Sequence, residues 1–176
     1  KIQSMKQNAK VYLEKKTSDE VIKVEKVLLA VGVTGNINNL GLEDLGIETE
    51  AGAIKTDNYN RTNIENIYAI GDVCGPPWLA HVASAQGHLA AEHSAGLNVN
   101  PIDYSNIPGC TYCQPQVGSL GMTEEQAISS GFKVKVGRFS FQASGKAMAT
   151  GNTIGFVKLI FDEKYGELLG AHIVGS

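Results

Sequence analysis

Pro76-Pro77 constrains the fold more than any other pair of residues. Two consecutive prolines remove two backbone donors, so neither a helix nor a central strand can run through them. The best helical pattern in the sequence follows directly. Leu79, Val82, Gln86, Leu89 and His93 recur at 3-4-3-4 spacing, and Gly96 supplies a C-terminal stop. Before the prolines, residues 64–70 read as a strand that runs into Gly71-Asp72. The expected unit is therefore strand, Gly-Asp, Pro-rich loop and helix. A carboxylate at a strand end can accept hydrogen bonds from sugar or polyol hydroxyls. The helix start presents free N–H groups and the positive end of its dipole, which suits an anion or an electron-rich ring edge. The alternative is that Asp72 only caps its own turn, and spacing leaves both readings open.

The rest of the chain organises around this unit. Residues 1–36 read as a small β unit, with a turn at Thr17-Ser18-Asp19-Glu20. The run Val27 to Val31 is apolar on both faces, as in a strand buried on both sides. Leu42 to Leu45 suggests one helical turn ended by Gly46. Residues 98–108, with Pro101 and Pro108, are linker-like, and Thr111 to Leu120 reads as a strand. Thr123-Glu124-Glu125-Gln126 matches a capping box, and Gly131 ends the short helix behind it. Phe132, Val134 and Val136 alternate, and Phe139 and Phe141 resume the pattern beyond Gly137 as if across a bulge. Ile154 to Phe161 and Leu168 to Val174 read as strands joined by a turn at 162–167. A helix followed by several strands predicts an α+β unit with an antiparallel sheet.

Composition narrows the function. Fifteen Lys and Arg against eighteen Asp and Glu give a net charge of -3, which argues against a non-specific nucleic-acid binder. The most apolar run falls far short of the roughly 20 residues that a membrane-spanning helix needs. Three cysteines do not make a secreted disulfide scaffold, so a reducing cytoplasm is expected and the sequon Asn60-Arg61-Thr62 is expected to be idle. Cys110-Thr111-Tyr112-Cys113 has C-x-x-C spacing, but there is no second such pair and no suitable His pair for zinc. On a strand, positions three apart face opposite sides. Two buried, inert thiols are the expectation, with Cys74 a small loop residue. The four histidines form no metal or triad pattern.

Read in order, the motifs resemble those of the flavin-dependent pyridine nucleotide-disulfide oxidoreductases, and within them the branch that oxidises dihydrolipoyl groups. Lys26-Val27-Leu28-Leu29-Ala30-Val31-Gly32 resembles the segment ending the nicotinamide-binding domain. Asn39-Leu40-Gly41-Leu42-Glu43 and Gly46-Ile47 follow as in the family. Ile67-Tyr68-Ala69-Ile70-Gly71-Asp72-Val73 resembles its second FAD motif, with Leu79-Ala80-His81 at the family's distance behind. Tyr112-Cys113-Gln114-Pro115-Gln116-Val117, Gly121-Met122-Thr123-Glu124 and Leu169-Gly170-Ala171-His172-Ile173-Val174-Gly175 resemble the start of the interface domain. The resemblance covers nearly the whole chain.

The resemblance implies a mixture of α/β and α+β architecture. Residues 1–36 would be the tail of an NAD-binding domain, 37–104 a central domain, and 105–176 the first part of a dimerisation domain with an antiparallel sheet. It implies FAD and NAD as cofactors, a homodimer, and lipoyl domains of 2-oxo acid dehydrogenase complexes as partners, with no nucleic acid and no membrane. Asp72 would bond a ribityl hydroxyl, the backbone of Trp78, Leu79, Ala80 and His81 would lie against the flavin, and Gly32 would sit against NAD. The family often has Gly-Arg-x-Pro where this chain has Gly32-Val33-Thr34-Gly35. It often has Thr where Cys113 stands. Its C-x4-C redox pair and its H-x-H-P base segment are not in these residues, so no catalytic residue is expected here and His172 is not that base. The chain is expected to be an internal piece of a longer enzyme and inactive by itself. Sister enzymes acting on glutathione or mercuric ion share most of these motifs, and a non-catalytic association module is the rival from another class.

Overall fold

The computed structural model describes residues 2–4, 9–13 and 20–175. Three short strands come first: β1 (Ile2–Ser4), β2 (Ala9–Leu13) and β3 (Glu20–Val24). They pair antiparallel in chain order, with Val11 of β2 opposite Ile2 and Ile22. Of the turn expected at 17–20, residues 17–19 lie outside the described residues, and Glu20 belongs to β3.

The strand expected over Val27 to Val31 does not form. The segment is irregular, and Leu28 and Val31 are each 90% exposed. Apolarity selects a strand only when another strand offers its free N–H and C=O groups alongside. Among the described residues β3 stops at Val24 and no strand lies beside this run.

The next stretch is built from turns around a small core. Leu45 N–H donates to Gly41 O at 3.3 Å and Ile47 N–H to Leu42 O at 2.9 Å, forming the single helical turn that the sequence suggests. Strands β4 (Thr49–Glu50) and β5 (Ala53–Ile54) form a short hairpin. Leu42, Ile47, Ile54 and Ala69 are buried together, with Ile64, Ile67, Val73 and Cys74 packed on them. The strand expected over residues 64–70 is instead a tight reversal. Ile67 N–H donates to Ile64 O, Thr62 N–H to Ile67 O, and Tyr68 makes one isolated bridge to Arg61. Asn66, at φ 65°, turns the chain so that Ile64 and Ile67 both reach the core. Asn60 is 3% exposed, so the sequon asparagine faces inward.

Beyond the prolines lies α1 (Ala80–Ser94), which buries Val82, Gln86, Leu89 and Ala90, the face that the 3-4-3-4 spacing marks. At its far end His93 stacks on Tyr59 with ring centroids 4.5 Å apart, and its Nδ1 lies 2.8 Å from the Tyr68 hydroxyl. Gly96, at φ 78°, ends the helix with its N–H on His93 O.

The C-terminal unit is a five-stranded antiparallel sheet. Its strands are β6 (Gly109–Thr111), β7 (Gln116–Gly121), β8 (Val134–Ser140), β9 (Phe156–Asp162) and β10 (Leu168–Gly175), in the order β6-β7-β10-β9-β8. The strand expected over Thr111 to Leu120 is thus a hairpin, turned at residues 112–115. The bulge falls between Leu168 and Gly170 rather than near Gly137, because β8 pairs with β9 without interruption. Helix α2 (Glu124–Ser129) begins with the expected capping box: Thr123 N–H donates to Gln126 Oε1 at 2.8 Å and Gln126 N–H to Thr123 Oγ1 at 3.2 Å. Ala127 of α2 and Ile160 of β9 are fully buried. Burying a side chain the size of Ile160 stabilises by about 1.5–3 kcal/mol. A second short helix, α3 (Gly145–Thr150), has no counterpart in the sequence reading. Among the described residues, no helix is long and apolar enough to cross a membrane.

Glu124 ties α2 to the sheet. Its Oε2 meets Lys158 Nζ at 2.6 Å and Arg138 Nη2 at 3.0 Å. The hydrogen bond from Lys158 leads in holding its carboxyl below the ordinary Glu range; desolvation opposes it, and the charges of Lys158 and Arg138 add to it. A depressed acid stabilises the fold above its unfolded pKa, and that contribution goes as pH falls through the lower folded value. Urea midpoints should therefore drop on acidification below about pH 4.5, near the unfolded Glu pKa, and less steeply in Glu124→Gln. Equal slopes would refute the tie.

At Gly170 a Cβ would collide with the backbone of Met122. Gly170→Ala should therefore destabilise the sheet by about 1–3 kcal/mol. Gly137→Ala, which meets nothing within 4 Å, should move the urea midpoint far less.

Candidate functional site

The site begins at a 3-10 turn, Gly71–Cys74, that leads into Pro76-Pro77 and α1. Gly71 stands at φ 74°, a left-handed conformation that glycine adopts without strain. Two small residues of α1 let the helix lie directly on this turn. A Cβ on Gly71 would come within 3.3 Å of Ala83 Cβ, and one on Gly87 within 3.3 Å of Ile70 Cδ1. Between these contacts Gln86 reaches across. Gly71 N–H donates to Gln86 Oε1 at 2.7 Å, and Gln86 Nε2 donates to the Tyr104 hydroxyl at 2.8 Å.

This packing brings together most of the residues singled out from sequence. Asp72 is exposed, and among the described residues its carboxylate accepts no hydrogen bond; only its main-chain oxygen is used, by Gly75 N–H at 3.2 Å. The turn therefore closes without the side chain. Leu79 is the N-cap of α1 and makes no side-chain cap bond. Val82 and Ala83 N–H both donate to Leu79 O, while those of Ala80 and His81 have no intrahelical acceptor. Trp78 is 38% exposed at the mouth of the helix. The His81 ring does separate work, with Nε2 at 3.0 Å from Pro108 O.

Gly32 is not packed into this group. It lies in the exposed irregular segment at φ 102°, with open space where a Cβ would be. Three residues on, Gly35 is packed in. A Cβ on Gly35 would meet Asp72 O and Gly52 O at 3.1 Å. Val33, Thr34 and Gly35 line a cleft of about 530 Å³ with Cys74, Pro76 and Trp78. Sequence reasoning missed Gly35 and Tyr104. It marked Gln86 only as part of a helical face, and a polar residue inside an otherwise apolar 3-4-3-4 row was the available signal.

The cysteines need a correction. Cys110 and Cys113 are exposed, not buried, because the chain turns at residues 112–115 on the edge of the sheet. Cys113 Sγ donates to Pro115 O at 3.0 Å. Cys74 is half-buried, and burial pushes its thiol up to about 11, against the opposing pull of a hydrogen bond with Asn60. Among the described residues no His, Cys, Asp and Glu group could hold a metal ion. At pH 8 Cys74 should be thiolate in on the order of one molecule in a thousand. A chromogenic disulfide reagent should therefore titrate two thiols promptly and the third only in denaturant. Three equally fast thiols would contradict this environment for Cys74.

Comparison with known proteins places this geometry in a family. A model of the pyridine nucleotide-disulphide oxidoreductases matches residues 1–87, and a model of their dimerisation domain matches residues 107–176. The chain is 55% identical over 164 residues to a dihydrolipoyl dehydrogenase of Rhizobium etli, covering 91% of the chain and 34% of the relative. To the enzyme of that name in Mycobacterium leprae it is 44% identical over 180 residues, covering 99% of the chain and 38% of the relative. The chain thus spans about a third of the length of the curated relatives it matches. Among solved structures, LpdA of Mycobacterium tuberculosis shares the fold with a TM-score of 0.88 at 24% identity, over 99% of this chain and 38% of that one. The flavoprotein disulfide reductase RclA of Escherichia coli aligns with a TM-score of 0.86 at 26% identity, over 99% of this chain and 40% of that one. Two family models in chain order and relatives that align over nearly all of the chain agree with the Gly71-Asp72 turn and its docked helix: the chain belongs to the pyridine nucleotide-disulphide oxidoreductase family.

Proposed function

We propose that this chain is part of a dihydrolipoyl dehydrogenase, a flavoprotein that oxidises dihydrolipoyl groups by way of an enzyme disulfide and FAD and passes the electrons to NAD+. The observation that carries the reading is the free carboxylate of Asp72 set beside the uncapped start of α1. A polyol chain offers hydroxyls to such a carboxylate, and an electron-rich ring edge accepts from unbonded N–H groups. Identities of 44–55% to enzymes named dihydrolipoyl dehydrogenase favour that branch.

In this reading the Asp72 carboxylate would hold the cofactor by accepting a hydrogen bond from a ribityl hydroxyl. The N–H groups of Ala80 and His81 would hold the flavin's pyrimidine side, where the α1 dipole favours negative charge. Trp78 and Leu79 shape the approach to that edge and hold water off it. When bound, the flavin supplies two-electron transfer between the enzyme disulfide and the nicotinamide. Gly32 leaves room for NAD. Residues 1–36 belong to the nicotinamide-binding domain, 37–104 to the central domain and 105–176 to the dimerisation domain. The whole enzyme is a cytoplasmic homodimer that serves lipoyl domains of 2-oxo acid dehydrogenase complexes. The dimerisation-domain match over residues 107–176 supports the homodimer.

The test uses the full-length protein that contains this segment. It should carry FAD and form NADH from dihydrolipoamide and NAD+, with no comparable activity on glutathione disulfide or mercuric ion. Asp72→Ala removes a charged hydrogen-bond acceptor, worth about 1.5–3 kcal/mol. FAD should then dissociate more easily by about tenfold or more. A protein that binds no flavin, or an Asp72→Ala variant that holds it as tightly, would overturn the reading.

A further inference from the structure

We propose that Gln86 is a positioning residue of the Asp72 site, and that through Tyr104 it ties this site to the linker that enters the five-stranded sheet. The inference rests on the flavin reading of that site. Gln86 is 6% exposed and sits on the buried face of α1 between Ala83 and Gly87, the residues that touch the turn. A buried amide has a cost unless both its ends are bonded, and here both are. Its oxygen holds Gly71 N–H at 2.7 Å, and its nitrogen donates to the Tyr104 hydroxyl at 2.8 Å.

The first bond governs direction. Gly71 immediately precedes Asp72, and its N–H belongs to the peptide plane that launches the turn. Holding that plane anchors the start of the turn from which the next side chain projects. The same helix carries the free N–H groups of Ala80 and His81, so one side chain holds the carboxylate and the helix start in a common frame. The second bond reaches the 3-10 turn Tyr104–Asn106, and His81 Nε2 reaches Pro108 O at 3.0 Å. The linker is thus latched to α1 at two points, one on each side of residue 105. A shift of the sheet unit pulls on the residues that frame Asp72.

The two ends of the amide make separable predictions. Leu at position 86 bonds to neither partner. Glu can still accept from Gly71 N–H, and the Tyr104 hydroxyl can rotate to donate to it. Phe at position 104 loses only the latch.

The experiment measures the FAD dissociation constant of the full-length flavoprotein by flavin fluorescence, beside its urea midpoint. Gln86→Leu should weaken FAD about tenfold when Asp72 is present, and less than about twofold in the Asp72→Ala background, because its effect passes through that carboxylate. Gln86→Glu should stay within about threefold of the unaltered protein, and Tyr104→Phe should lose about threefold only when Asp72 is present. Equal losses in both backgrounds would make Gln86 a plain stability residue and overturn the proposal, as would an unchanged constant in Gln86→Leu. If Gln86→Leu does not fold, Tyr104→Phe tests the latch by the same comparison, and equal losses in both backgrounds there overturn the proposal. If the unaltered protein binds no FAD, the flavin reading fails first and this proposal falls with it.

Discussion

The contact on which the rest of this arrangement depends is the docking of α1 onto the Gly71 turn. It combines close approach with one buried hydrogen bond. Ala83 and Gly87 keep the helix surface low enough for the chain at Ile70 and Gly71 to lie against it, and Gln86 satisfies the N–H that this approach would otherwise bury. A larger residue at 83 or 87 would lift the helix, and an apolar residue at 86 would leave the N–H without a partner. Asp72, the helix start and the cleft bounded by Trp78 all take their positions from this contact.

A different principle organises the five-stranded sheet. Its order is set by long-range antiparallel pairing, with β10 between β7 and β9. Small residues permit close crossings at Gly121, Gly155 and Gly170, where a Cβ would strike main-chain atoms of neighbouring segments. Charge fastens the helix to the sheet, since Glu124 answers both Lys158 and Arg138. The site unit is held mainly by packing and one neutral hydrogen-bond chain, so the two units should respond differently to salt and acid.

What could be read from the sequence was local. The buried face of α1, the capping box at Thr123, the stop at Gly96 and the β9–β10 hairpin each depend on residues close in the chain. Their signals are periodicity, a cap or a turn. The errors over strands arise because a strand needs a partner, and an uninterrupted run, that apolar pattern alone does not supply. Val27 to Val31 has the composition of a strand but no neighbour among the described residues. Residues 64–70 have it too, yet Asn66 reverses the chain inside the run. Thr111 to Leu120 hides a hairpin turn at Pro115. Helix α3 escaped notice because six residues show too little periodicity. At the candidate site, the turn that carries Asp72 and the helix start behind Pro76-Pro77 were legible from the Gly-Asp and Pro-Pro pattern. Gly35 and Tyr104 were not, because their roles arise only from tertiary approach.

The exposed run after β3 has a consequence for how this polypeptide must be handled. Val27 to Val31 is uncharged, free of proline and rich in branched side chains, and it lies open to solvent. Stretches of this kind seed intermolecular cross-β pairing when nothing covers them. Glu25 and Lys26 guard only the leading side; downstream the next charged residue is Glu43. Produced alone, the polypeptide would carry its own nucleus for precipitation. Colloidal behaviour, and not only folding free energy, would then limit the concentrations at which it can be studied.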